Sequence, residues 1–406
     1  MTTAGAARPG WPLAILAAVV LALAASCTPD HGSAVRLRMG TFWSGGAAEA
    51  LREELFQACA GLDLAGIELQ IVGLGALHDR LLSDLPSDPT SELDIAIVPN
   101  DWLGVLIERK LVGELPAGHV ERLRASVITQ ALLAVSEGDR LFAYPLNAEA
   151  LALVYNPRLL PNEPRTLDEV FAARLPAGVV PFSVDLANLY HLMPLITSYQ
   201  GSIITSDGSF AWNAAAATAL FRSLTPLWSN PAARSISTAA DPTSLQVQLF
   251  AEERLASFVA GPWLVSTLRL VSPLFSVAPV PPFRDAPHPA RALVGYQSLV
   301  VMRRSPWSDL AHTVALRLLD PDAQRRLSAG TSRLPVVRDA LAGAAAVSAP
   351  PSLGFLRAVE SGTPMPSSSR WEHSFRSAGE RLRAAMRTRP LASPAQVLDD
   401  LLGEAP

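Results

Sequence analysis

The sequence predicts an α/β protein with a parallel sheet covered by helices and a chain divided into more than one domain. Length is the first reason. The chain has 406 residues, more than one hydrophobic core serves, so two or three domains are the natural outcome. The second reason is the order of hydrophobic periodicities, which switches between period 2 and period 3.6 along the first hundred residues. Strands and helices that alternate in this way build parallel sheets. The third is composition: 49% apolar and 17% charged is a globular balance, not a disordered one.

The elements follow in order. Val35–Met39 alternates and predicts a first strand, Gly40–Gly46 turns, and Ala47, Leu51 and Leu55 share one helical face. Ile67–Ile71 alternates again, and Leu77, Leu81, Leu82 and Leu85 mark a second helix. Asp94–Val98 is a continuous apolar run, as in a strand buried on both faces. Asn100 or Asp101 is placed to cap a helix over Trp102–Lys110. Further on, Leu151–Tyr155 predicts a strand, and Thr166 with Glu169 forms a capping box opening a helix. Residues 213–228 are Ala-rich and helical, the five prolines between Pro279 and Pro289 make a loop, and Leu299–Met302 reads as a strand. Leu310, Val314 and Leu318 mark a helix, and residues 371–402 are mostly helical.

The N-terminus reads as an export signal. Arg8 precedes an apolar run from Trp11 to Ala25, which is too short to span a membrane comfortably and has the length of a signal-peptide core. It ends in Leu23-Ala24-Ala25-Ser26-Cys27, small residues before a Cys that resemble the lipobox of bacterial lipoproteins. The resemblance implies a signal peptide over residues 1–26, lipidation of Cys27, a tether to residue 34, and attachment to a membrane of the cell envelope. The alternative is an ordinary cleaved signal followed by a chance Cys. Cys59, in an amphipathic segment, reads as a small buried apolar residue.

Several chemistries lack their sequence signatures. The net charge is −4 with no basic run, which argues against a nucleic-acid partner. The seven His are scattered, and no Cys/His spacing suits a metal. No His-Glu-x-x-His, Gly-x-Ser-x-Gly or phosphate-loop pattern occurs. No catalytic residue, metal or cofactor is therefore assigned, although paired carboxylates that converge only in space stay open. What remains is a set of aromatic residues beside turns: Trp43, Trp102, Tyr190, Trp263 and Tyr296. Rings at the carboxyl ends of strands suit sugars, whose C–H faces stack while their hydroxyls need polar partners such as Asp101, Glu149 and Asn188.

One segment ties these features together: Tyr144-Pro145, Glu149, Leu153, Tyr155-Asn156, Leu160-Pro161, Pro164, Thr166 and Glu169. With Leu93–Gly104, the Gly261-Pro262-Trp263 turn and Asp322–Leu327, it resembles the extracellular solute-binding proteins of family 1, the maltose/maltodextrin-binding type, over nearly the whole mature chain. The resemblance implies a two-lobed type II (Venus-flytrap) fold with multiple hinge crossovers. One lobe would comprise residues 35–147 with 298–332, the other 150–296 with 336–406. It implies a monomeric binding protein that captures a carbohydrate and delivers it to the transmembrane subunits of an ABC permease. It also implies that Asp101 and Glu149 bond ligand hydroxyls, and that Tyr190, Trp263 and Trp371 stack on the sugar.

The chain departs from the family's pattern at Val98, where a Trp is usual, and at Trp102, where an Arg follows the aspartate. Gly45-Gly46 replaces a charged pair, with Trp43 nearby, and Asn188 replaces a glutamate. The pocket's frame is kept while its polar lining is changed, which leaves maltodextrin itself open. A glycerophosphodiester or peptide on the same fold, and a glycoside-acting envelope enzyme, stay as alternatives. A phosphate would want an Arg or a glycine nest; Gly45-Gly46 offers the second, without an adjacent Arg.

Overall fold

The computed structural model describes residues 35–82, 92–272, 274–347 and 350–388. The expected signal segment, Cys27, the tether, Leu85 and the part of the C-terminal helix beyond residue 388 lie outside the described residues. In chain order the strands are β1 (Arg36–Thr41), β2 (Gly66–Ile71), β3 (Ile95–Pro99), β4 (Ser136–Glu137), β5 (Arg140–Leu141) and β6 (Tyr144–Ala150). They continue with β7 (Ala152–Tyr155), β8 (Ser257–Ala260), β9 (Ser276–Ala278), β10 (Leu293–Val301), β11 (Leu334–Pro335) and β12 (Thr363–Pro364).

The first three major strands behave as their spacing predicts. β1 lies between β2 and β3, parallel to both. Beyond β3 the sheet stops being parallel. β10 runs antiparallel to β3 and to β6, β11 closes the far edge antiparallel to β6, and β12 sits beside the start of β10. The reason is connectivity: β6 leads into a second sheet, and β10 returns from that sheet instead of through a crossover helix. That second sheet is antiparallel, with β7 between β8 and β9. The chain passes from the first sheet to the second through Leu151 alone, which is fully buried. β10 is longer than the strand predicted at Leu299–Met302, because its first half pairs with the end of β6.

Helices cover the sheets. The helix Gly45–Ala58 buries Ala48, Leu51, Leu55 and Ala58, a 3–4 residue spacing that puts them on one face. It packs on the helix Pro321–Thr331, where buried Glu54 accepts two hydrogen bonds from Arg326, at 2.6 and 2.9 Å. The Thr166 capping box forms with one change. Thr166 Oγ1 accepts from the Glu169 amide at 3.3 Å, but the Glu169 carboxylate reaches the amide of Arg165, not that of Thr166.

The cap expected from Asn100 or Asp101 does not form. Asn100–Trp102 is a 3₁₀ turn leading into the helix Leu103–Glu108, with no side-chain cap. Asn100 is fully buried between segments, so its amide must be satisfied there. Its Nδ2 donates to the Met365 carbonyl (2.8 Å) and its Oδ1 accepts from the Tyr296 amide (2.9 Å).

Gln324 plays a similar joining role. Its Nε2 donates to the carbonyls of Leu146 and Leu318, and its Oε1 accepts from the Val336 amide, linking the Pro321–Thr331 helix to β6 and to the segment after β11. Gln324→Leu strands these buried backbone groups and is expected to cost roughly 2–4 kcal/mol. A lowered urea midpoint checks this; an unchanged midpoint would contradict it.

Candidate functional site

A cavity of about 680 Å³ opens where the carboxyl ends of β1 and β3 meet the end of β6, the middle of β10 and the Leu189–Gln200 helix. Ligand sites in parallel sheets form at such strand ends because the loops there diverge. Trp43, Asp101, Trp102 and Glu149 line it from one side, and Asn188, Tyr190 and Trp263 from the other.

Each is held by a local cause. Trp43 follows β1, and its amide donates to Thr41 Oγ1 at 3.1 Å. Trp102 lies edge-on to His78 with ring centroids 4.9 Å apart. Asn188 caps the Leu189–Gln200 helix, its Oδ1 accepting from the Tyr190 amide at 3.1 Å, so helix geometry aims both residues at the cavity. The Tyr190 hydroxyl donates to the Leu293 carbonyl at 3.4 Å. The indole of Trp263 folds back over Gly261: a Cβ there would sit 2.1 Å from the ring. The glycine of the Gly-Pro-Trp turn is thus required by the position of the ring.

Two expected ring platforms lie elsewhere. Tyr296 alternates with Gly295 and Gln297, which face the cavity; the strand pleat turns it to the other face, where it is 2% exposed. Trp371 is fully buried, stacked on Phe375 at 5.1 Å and edge-on to Phe210 at 5.8 Å. Phe375, one helical turn later, reaches the cavity instead.

At the floor, Glu149 is held from two directions. Gln297 Nε2 donates to its Oε1 at 2.6 Å, and Arg333 Nε donates to its Oε2 at 2.9 Å. A register shift in β10 between Gln297 and Ser298 accompanies this aim. The guanidinium carbon of Arg333 lies 4.5 Å from the centroid of the Trp43 ring. Around this floor several buried polar atoms have no hydrogen-bond partner: Trp43 Nε1, Asp101 Oδ1, His191 Nδ1, Gln297 Oε1 and Arg333 Nη1. Each such atom costs about 1–3 kcal/mol if it stays unpaired. Their concentration at one cavity marks a surface built to be completed by something polar.

Burial pushes the Asp101 carboxyl up to about 7, and the charge of Glu372 adds to the effect. Burial, then the charges of Glu149 and Asp101, raises the Tyr190 phenol well above its ordinary range. Burial lowers His191 to about 4, so it is neutral at pH 7. No group of His, Cys, Asp or Glu among the described residues is arranged to hold a metal.

Arg333, Gln297, His191 and Phe375 were not singled out by sequence. An Arg between Ser332 and Leu334 carries no local signal of burial.

Residues 56–353 match the family described as bacterial extracellular solute-binding protein. The chain is also similar to solved structures. The GacH receptor of Streptomyces glaucescens, solved unliganded and with acarbose, superposes with a TM-score of 0.78 at 15% identity, over 91% of this chain and 96% of that one. The Thermus thermophilus maltotriose binding protein bound with maltotriose gives 0.74 at 18%, over 91% and 98%. A cyclo/maltodextrin-binding protein complexed with maltotetraose gives 0.69 at 20%, over 92% and 97%. These likenesses carry the fold: the mixed architecture described above is the two-lobed fold of those binding proteins.

Carbon-13 NMR of the Asp101 carboxyl is expected to show titration near pH 7 in the unliganded protein, and its disappearance in Asp101→Asn confirms the assignment. Titration in the ordinary range near 4 would show that the carboxyl is solvated.

Proposed function

The chain belongs to the bacterial extracellular solute-binding proteins, and from that premise we propose that it captures a carbohydrate in the cavity above and hands it to the membrane subunits of an ABC permease. The supporting observation is the pairing, in one cavity, of partly exposed aromatic rings (Tyr190 and Trp263) with unsatisfied hydrogen-bonding atoms. A sugar presents C–H faces to the first and hydroxyls to the second. The maltotriose, maltotetraose and acarbose carried by the structural relatives agree with this chemistry.

Family membership makes the protein an exported one. No described helix is long and apolar enough to cross a membrane, and we assign its attachment to acylation of Cys27. The lobes divide near Leu151 and along β10, so a ligand touching Glu149 and Tyr190 bridges them. Ligand contacts made only in the closed state drive closure. Moving a minor closed population from 1% to 99% takes about 5.5 kcal/mol of differential affinity, which two stacked rings and a few buried hydrogen bonds supply. The protein binds its solute and releases it unchanged.

A thermal-shift panel of sugars, glycerophosphodiesters and peptides tests the assignment, since stabilisation grows with ligand concentration over Kd. Only saccharides are expected to raise the melting temperature. With the best saccharide, Trp263→Ala should weaken binding about 10-fold or more by calorimetry. Glu149→Gln, which keeps an acceptor for Arg333, should weaken it without unfolding the protein. Unchanged affinity in both variants would remove the cavity from consideration.

A further inference from the structure

Arg333 is set into the cavity floor by a backbone feature of its own. The helix Pro321–Thr331 ends at Ser332, a non-glycine residue with φ 58° and ψ 12°, in the left-handed region. Such a conformation persists where the surroundings enforce it, and it is found disproportionately at functional sites. Here it turns the chain so that Arg333 points inward. The Arg333 amide donates to Thr331 Oγ1 and its carbonyl accepts from Ser328 Oγ at 2.7 Å, fixing the backbone on both sides. Its side chain is 5% exposed. One face of its guanidinium stacks on Trp43, Nε is spent on Glu149, and Nη1 is buried without a partner in a residue that lines the cavity.

We propose that Arg333 is a specificity residue that contacts the bound ligand: it donates through Nη1 to a hydroxyl of an uncharged saccharide and, neutralised by Glu149, gives no advantage to acidic or phosphorylated counterparts. This rests on the carbohydrate reading above. The unpartnered atoms around the floor are of both kinds. Arg333 Nη1 and Trp43 Nε1 donate, Gln297 Oε1 and Asp101 Oδ1 accept, and His191 Nδ1 does either according to its tautomer. A hydroxyl both donates and accepts, so neighbouring sugar hydroxyls suit both kinds. A carboxylate or phosphate oxygen only accepts, so it would leave the Gln297 and Asp101 oxygens facing negative charge. His191 is neutral, and the other cation lining the cavity, Arg383, is exposed and its charge acts on Asp185.

The test is calorimetry on the full chain with matched probes: glucose, maltose, maltotriose and trehalose against glucuronate, glucose 6-phosphate, maltobionate and trehalose 6-phosphate. The wild type is expected to bind at least one neutral probe about 30-fold or more tightly than its acidic partner. Arg333→Lys keeps the charge beside Glu149 but loses the second N–H of the fork. It should weaken the neutral probe about 10- to 100-fold and narrow the neutral-over-acidic ratio, with little change in melting temperature. A general structural defect would lower both affinities together and leave that ratio unmoved. Arg333→Gln provides the same comparison if the Lys variant fails to fold. Wild-type affinity and ratio in the variants, or a preference of the wild type for acidic probes, would overturn the role of Arg333 while leaving carbohydrate capture standing. Binding of no probe of either kind would overturn both.

Discussion

Glu149 is where separately arriving parts of the chain are tied together. It ends β6, Gln297 comes from the middle of β10, and Arg333 comes from the turn after the Pro321–Thr331 helix. These residues are far apart in sequence and meet within hydrogen-bond distance of one carboxylate. A buried ion pair of this kind contributes little net stability against a well-packed apolar replacement, yet losing one partner costs about 3–5 kcal/mol because the other is stranded. The constraint therefore acts through geometry more than through energy. It fixes where the strands joining the two sheets sit relative to one another, and so fixes the floor of the cavity.

The rest of the site is arranged around that floor by ordinary folding rules. The parallel trio β2-β1-β3 places its carboxyl ends, with Trp43 and Asp101, at one wall. A helix N-terminus capped by Asn188 places Tyr190 at the other. Gly261 makes room for Trp263 to fold over it. Each wall is rigid on its own account, because its residues sit at the ends of packed elements. The residues that carry the unpaired polar atoms line the same cavity, and a ligand bridging its walls would favour closure.

Local structure was largely legible in the sequence. The alternation in Val35–Met39, the apolar run Asp94–Val98, the helix face of Ala47, Leu51 and Leu55 and the Thr166 capping box all appear where their periodicities put them. Turn-adjacent aromatics and the family pattern pointed to Trp43, Asp101, Trp102, Glu149, Asn188, Tyr190 and Trp263 as ligand contacts, and these residues line one cavity. What sequence missed were matters of tertiary pairing. The antiparallel entry of β10 depends on a strand more than a hundred residues from its partners, and local periodicity carries no information on direction. Tyr296 and Trp371 turned inward because of strand pleat and helix phase, which a ring beside a turn does not reveal. Arg333 was invisible because its burial comes from Glu149 and Trp43, neither of which is near it in sequence.

A crystal structure of the protein with the saccharide that stabilises it most tests the central claim directly. The account predicts the sugar in the cavity between the two sheets, stacked on Tyr190 or Trp263, with one hydroxyl about 2.7–3.2 Å from Arg333 Nη1 and another accepted by Asp101 or Gln297. A sugar bound elsewhere on the surface, or one in the cavity whose hydroxyls leave Arg333, Gln297 and Asp101 unpaired, would contradict it.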